Sequence, residues 1–268
     1  MGSHDLDGAL RKVARAEEHL NALTALSDEF FNERELYGLR QERDADDPRW
    51  IKYIIAVADN PPPSWGVLLG DVVHNLRSAL DHLVWRLVSL TGAEGDRRTQ
   101  FPIVCYARAW VRAQGRSLRG VHKEHRAFIR ALQPFQRSHS QQFHPLAQLA
   151  WLSNVDKHRI VHASLVIGGW SSSPTLTLLN VTSADVADFR SVVHRIRPEN
   201  GTEVARTFFA NPRSIAQVEV KGKLTLYPAF GEREVTLGEV ESIAAYVSDI
   251  VEAFAAAWPS PRVHGEPS

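Results

Sequence analysis

Residues 71–90 read DVVHNLRSALDHLVWRLVSL, and this stretch decides how the first half of the chain folds. At about 100° per residue, Leu76, Leu80, Leu83 and Leu87 fall on one side of a helix. His74, Arg77, Ser78 and Asp81 fall on the other, with His82 at the edge of that stripe and Asn75 beside it. Solvated helix faces normally carry Lys and Glu, and this one carries neither. Two imidazoles, a guanidinium and a carboxylate solubilise a helix poorly but suit ligand binding or proton transfer. The structural alternative is an i,i+4 ion pair between Arg77 and Asp81, worth a few tenths of a kcal/mol (about 0.2–0.5). His74 and His82 would then pack between helices.

Working outward, Pro61, Pro62 and Pro63 stop whatever precedes this helix, and Ser64 is a suitable N-cap. Thr91-Gly92 ends it, because glycine takes the left-handed conformation after a helix at no steric cost. Upstream, residues 5–39 are expected to form a long helix, with Leu6, Leu10, Val13, Leu20, Leu23, Leu26 and Phe30 near helical spacing. Residues 50–58 are a short apolar stretch of strand character. Downstream, residues 107–119 and 123–132 form shorter helices. His144-Pro145 opens another, proline being pre-set for the first helical position, and it is expected to run to His158.

Beyond residue 159 the texture changes. Residues 160–167, 175–181, 191–196, 203–209 and 217–227 are rich in β-branched and apolar side chains. In the last of these Val218, Val220, Leu224 and Leu226 alternate onto one face, and Glu199-Asn200-Gly201 is a hairpin signal. Thr236-Leu237-Gly238-Glu239 has the pattern of a capping box. It opens an amphipathic helix whose apolar side is Val240, Ile243, Val247, Ile250, Val251 and Phe254. The expected class is α+β, with a helical N-terminal bundle, an antiparallel sheet of about five strands and a closing C-terminal helix. By this division residues 1–159 carry the polar site. Residues 160–258 are expected to form the sheet and the closing helix, packed as one unit, and 259–268 a proline-rich disordered tail.

A second polar block, NVDKHRIVH at 154–162, repeats the chemistry of the first. On a helix Trp151, Asn154 and His158 share a face, while Asp156 and Lys157 are expected to point elsewhere. The plain alternative for His158 and Arg159 is that cationic side chains near a helix C-terminus favour its dipole. If the two blocks meet in space, they form one site.

Lys+Arg and Asp+Glu are both 31, so the total charge names no polyanionic partner, but the distribution is uneven. Residues 97–137 hold nine arginines and Lys123 against a single acid, Glu124. Arg108, Arg112, Arg116 and Arg119 follow a helical stripe, which offers fixed charge and forked donors to phosphate. The simpler expectation is a solvated face paired with the acids of the first helix.

Twelve histidines produce i,i+3 and i,i+4 pairs such as His122/His125 and His158/His162 without the Glu of a zinc-protease helix. The chain holds neither a phosphate-cradling GxxxxGKS loop nor a GxSxG elbow. Its single cysteine, Cys105, excludes an internal disulfide framework and suits a cytoplasmic location. No apolar run approaches the roughly 20 residues that span a bilayer, so no membrane partner is expected, and no cofactor is called for.

The segment from Arg77 to His82, RSALDH, resembles the Arg-x4-His motif of the HEPN superfamily, helical-bundle ribonucleases of bacterial toxin and defence systems. Ser78 stands where that family often has Asn, Asp or His, and a sheet would be an addition to its all-helical core. The pair HNLRSALDHL and NVDKHR also resembles a pattern in uncharacterised bacterial proteins. The HEPN resemblance implies a homodimer and a metal-independent ribonuclease. In it His82 acts as general base or acid, Arg77 stabilises the phosphorane, Asp81 or Asn154 orients the imidazole, and the arginines of 97–137 hold RNA. The residues alone equally allow a non-catalytic module that binds a nucleotide or small anion through Arg77, His74, His158 and Arg159. A third expectation is a metal-dependent hydrolase with His74, Asp81 and His158 as ligands.

Overall fold

The computed structural model describes residues 6–33, 35–136, 141–170, 175–178, 186–191, 197–199, 201–210, 218–221 and 224–257. In chain order the elements are α1 (Asp7–Glu33), β1 (Tyr37–Arg43), β2 (Trp50–Val57), α2 (Ser64–Ser89), α3 (Ala107–Ser117), α4 (Lys123–Ala131) and α5 (Pro145–Asp156). They are followed by β3 (Ala163–Trp170), β4 (Thr175–Leu178), β5 (Val186–Ser191), β6 (Glu203–Phe209), β7 (Val218–Lys221), β8 (Leu224–Phe230), β9 (Val235–Thr236) and α6 (Leu237–Ala257). The class is α+β, and every strand pair is antiparallel.

The chain divides into two compact units that interleave in sequence. The helical unit takes residues 1–25, 64–162 and 237–268, and the sheet unit takes 26–63 and 163–236. The helical region expected over 1–159 therefore lends β1 and β2 to the sheet unit, and α6 joins the helices rather than the sheet.

In the helical unit α2, α5 and α6 pack on one another. The leucine side of α2 is fully enclosed, with Leu76, Leu80 and Leu83 at 0% exposure. From α6 all six apolar positions of the expected stripe are buried. α1 departs from expectation. Val13, Leu20, Leu23 and Phe30 are buried, but Leu10 and Leu26 face solvent, and Ala9 and Ala16 take the places of close approach. His144 caps α5, its Nδ1 accepting from the Leu146 amide at 3.2 Å, with Pro145 at the first turn. Gly92 has a φ of 76° just beyond the end of α2, as the glycine signal required.

Two glycines on α2 decide how closely the end of α5 approaches it. A Cβ at Gly66 would overlap the carbonyl oxygen of Val161, and a Cβ at Gly70 would overlap the carboxylate of Asp156. Both positions would favour alanine if only helix propensity mattered, so their glycines serve packing.

In the sheet unit the strands form a four-stranded sheet β1-β2-β6-β5, a three-stranded sheet β3-β8-β9 and the pair β4-β7, not one sheet of about five strands. A common core of Ile51, Tyr53, Ile55, Ile167, Val204, Phe209 and Leu224 spans the two larger sheets. The long helix expected over 5–39 stops at Glu33, and YGLRQER becomes β1 because its whole length pairs with β2, Tyr37 with Val57 through Arg43 with Ile51. Residues 217–227 were expected as one strand. They are divided between β7 and β8, which belong to different sheets. Strand 160–167 begins later, at Ala163, and β5 covers 186–191, sharing only Ser191 with the expected strand over 191–196. Residues 179–181 and 192–196, the hairpin centre at Asn200, the side chains of Val218 and Val220, and the tail over 259–268 lie outside the described residues.

Candidate functional site

The polar stripe of α2 is split among three settings. Arg77 and Asp81 form the expected i,i+4 pair, Nη2 to Oδ1 at 2.9 Å, with side-chain exposures of 17% and 30%. They do more than pair. Arg77 Nη2 donates to the Phe101 carbonyl at 2.6 Å, and the Phe101 amide donates to Asp81 Oδ1 at 2.8 Å. Together they clamp one residue of the segment between α2 and α3 by both its backbone groups. Burial lowers the affinity of the Arg77 guanidinium for its proton, opposed by the Asp81 charge. Burial likewise raises the Asp81 carboxyl above the ordinary carboxylate value, with Arg77, the Phe101 amide and Lys157 pulling it back. Each partner is thus desolvated and held ionised by the other.

Residues 100–104 are also tied from a second side. Gln133, fully buried after α4, accepts from the Val104 amide at 2.9 Å and donates to the Ile129 carbonyl at 3.0 Å. This strap forms one wall of a pocket of about 470 Å³. α2 contributes Arg77 to it. α3 contributes Ala109, Arg112, Ala113 and Arg116, and the end of α5 contributes Ala150, Ser153, Asn154 and Lys157. Each of those last two sets has the spacing i, i+3, i+4, i+7, one face of a helix. Four cations therefore converge, Arg77, Arg112, Arg116 and Lys157, with Gln100, Ser153 and Asn154 as neutral hydrogen-bonding groups. Among the described residues that line the pocket none is Asp or Glu. The positive charge comes from side chains, and Arg112 and Arg116 are exposed and free to reorient.

The two polar blocks do meet, through pairs other than those expected. Arg77 meets Asn154 and Lys157 in the pocket, and His74 faces Asp156 in a neighbouring depression with Asp71, Gly70 and Ile160. Lys157 and Asp156 were expected to point elsewhere. Asn154 to Lys157 is an angular step of about −60°, and Asn154 to His158 one of about +40°, so the wheel alone does not choose between the flanks. With Asp156 packed against Gly70, Lys157 borders the pocket and stays exposed. His158 then leaves the helical register, its amide bonding the Val155 carbonyl three residues back at 3.0 Å, and it is exposed. Arg159 is exposed as well. Neither lines the pocket.

The remaining candidates are placed as follows. His82 packs toward α1, its Nδ1 standing 2.8 Å from where a Cβ on Gly8 would lie, and it borders a second cavity of about 510 Å³ with Ser78, Asp81 and Trp85. Asn75 is buried and bridges helices, accepting from Lys12 Nζ at 3.1 Å and donating to the Asp71 carbonyl at 2.8 Å, so it is a packing residue rather than a ligand contact. The arginine stripe is half realised. Arg112 and Arg116 reach the pocket, Arg108 lies over the Tyr106 ring at 5.5 Å, and Arg119 falls after α3 has ended at Ser117. Arg137 is outside the described residues. Among the described residues no three His, Cys, Asp or Glu side chains gather as metal ligands; His74 and Asp81 line separate depressions, and His158 lines neither. Ser153, Gln100 and Lys157 are pocket residues that the sequence signals did not single out. The repeated Ala-x2-polar-x3-cation pattern at 109–116 and 150–157 is the signal that would have found Ser153 and Lys157.

No helix among the described residues is long and apolar enough to cross a membrane. No protein-family model, curated protein or solved structure matches this chain. What defines it is an α+β fold with a basic pocket built inside its helical unit.

Proposed function

We propose that the protein binds a small anion, a phosphorylated metabolite or nucleotide phosphate, in the pocket between α2, α3 and α5. The observation that carries this is the convergence of Arg77, Arg112, Arg116 and Lys157 on one cavity lined, among the described residues, by no acid. Asp81 already offsets Arg77; Arg112, Arg116 and Lys157 bring further positive charge to the same cavity, which a bound anion would offset, and arginine forks match phosphate oxygens in pairs. Arg77 is pre-organised for this by Asp81 and Phe101, which leaves its Nε and Nη1 donors for a ligand.

The ribonuclease chemistry expected from Arg77 and His82 asks both to act on one phosphate. Arg77 lines the pocket, whereas His82 borders a different cavity with Ser78, Asp81 and Trp85, so binding without chemistry is the function that the geometry supports best. The test is thermal melting of the full chain with inorganic phosphate, diphosphate, a panel of nucleotides and a short RNA. A saturable rise in Tm with the small phosphates, weakened in Lys157→Ala, is expected through linkage. No rise with any of them contradicts the proposal. RNA cleavage present in the wild type and lost in His82→Ala would restore the catalytic alternative.

A further inference from the structure

Resting on that binding proposal, the composition of the pocket narrows its ligand further. The charged groups occupy only part of the wall. Another part is apolar: Pro102, Ile103 and Val104 from the strap, Ala109 and Ala113 from α3, and Ala150 from α5. The alanines matter most, because they leave room where any longer side chain on the same helix faces would fill it. Ile103 and Ala113 are half-buried and Ala109 is exposed, so part of this wall is open to a ligand. The one aromatic lining residue, Phe101, is fully buried with its backbone clamped by Arg77 and Asp81. It presents no ring face on which a base could stack. A site built for a nucleotide base uses such a face, or polar groups spaced along the base edge.

We infer that the pocket takes a phosphomonoester carried on a short aliphatic body: the phosphate dianion between Arg77, Arg112, Arg116 and Lys157, and the hydrocarbon against Ile103, Ala109, Ala113 and Ala150. Four cations suit a dianion better than a single carboxylate. The absence of acids among the described lining residues disfavours a ligand that carries an amine.

The test is a titration series followed by calorimetry on the full chain: inorganic phosphate, methyl, ethyl and butyl phosphate, and adenosine monophosphate. Affinity is expected to rise about two- to fourfold for each added methylene, from the area that each removes from water. In Ala113→Leu, which fills space in the pocket, the gain from butyl over methyl phosphate is expected to disappear. Ile103→Thr reports on the same wall from the strap and keeps the test valid if the first variant folds poorly. Equal affinities along the alkyl series, or adenosine monophosphate binding tighter than butyl phosphate, overturns the inference and leaves anion binding intact. No binding by any member, inorganic phosphate included, overturns the binding proposal itself.

Discussion

At the residue scale the Arg77–Asp81 pair matters because each partner also holds the backbone of Phe101. Asp81→Ala leaves the buried Arg77 charge without its counterion and the Phe101 amide without its acceptor. A loss of about 2–3 kcal/mol in denaturant unfolding is expected, since bonds to charged groups are worth that much when one partner is deleted. Gln133→Ala strands the buried Val104 amide and is expected to cost about 1–3 kcal/mol. A loss near zero in both variants would mean that the strap is not held as described. The carboxylates also separate by pH. Asp44 is held down to about 2, first by the Lys52 ammonium at 2.8 Å and then by the Asp46 amide. Its contribution to stability is present above its ordinary 3.8 and lost as pH falls through about 2. Asp156 has the opposite sign, raised from 3.8 by burial against α2, with the His74 charge only partly offsetting it. Its folded form binds a proton more tightly than its unfolded form, so its contribution falls as pH rises above 3.8. Asp44→Asn should flatten the acid limb of the stability profile, and Asp156→Asn should flatten the slope just above it. Unchanged profiles would contradict both assignments.

At the element scale, the close approach of α2 and the end of α5 positions Lys157 and Asn154. Gly66→Ala tests it with a sign that ordinary helix propensity gets wrong. Alanine at an exposed helix position would stabilise by about 0.8–1 kcal/mol. Here its Cβ meets the Val161 carbonyl, a backbone atom that cannot rotate away, and a loss of about 2–3 kcal/mol is expected from overpacking. A stabilised Gly66→Ala variant would show that the two segments do not touch as closely as the structure has them. The same contact explains what could be read along α2 and α5 from sequence. The leucine face, the cap at His144, the proline start and the glycine stop are local signals, and each was legible. Which flank of α5 faces α2 depends on glycines some 90 residues earlier in the chain, and no periodicity in α5 records that.

At the scale of the whole molecule, class and most helices were legible because long amphipathic periods are written locally. The division into units was not. β1 is polar along most of its length and is a strand only through β2, whose own partner β6 lies some 150 residues further on. α6 resembles any closing helix until its partners, α2 and α5, are known. The candidate site was half legible. The density of arginines marked α3, and the odd polarity of α2 marked Arg77, but both blocks also supplied residues that turn out to build the fold. Asn75 and His144 are of that kind.

The central claim is that four cations from three helices share one anion. The most direct measurement is calorimetric titration of inorganic diphosphate into the full chain at low salt, beside the Arg112→Ala/Arg116→Ala double variant. Both arginines are exposed on α3, so their removal leaves the fold intact, as the melting profile of the variant will verify. The account predicts saturable binding at one site per chain, weakened at least about tenfold in the variant, the effect of some 1.4 kcal/mol. Equal affinity in the two proteins, or heats in the wild type that never saturate, would contradict it.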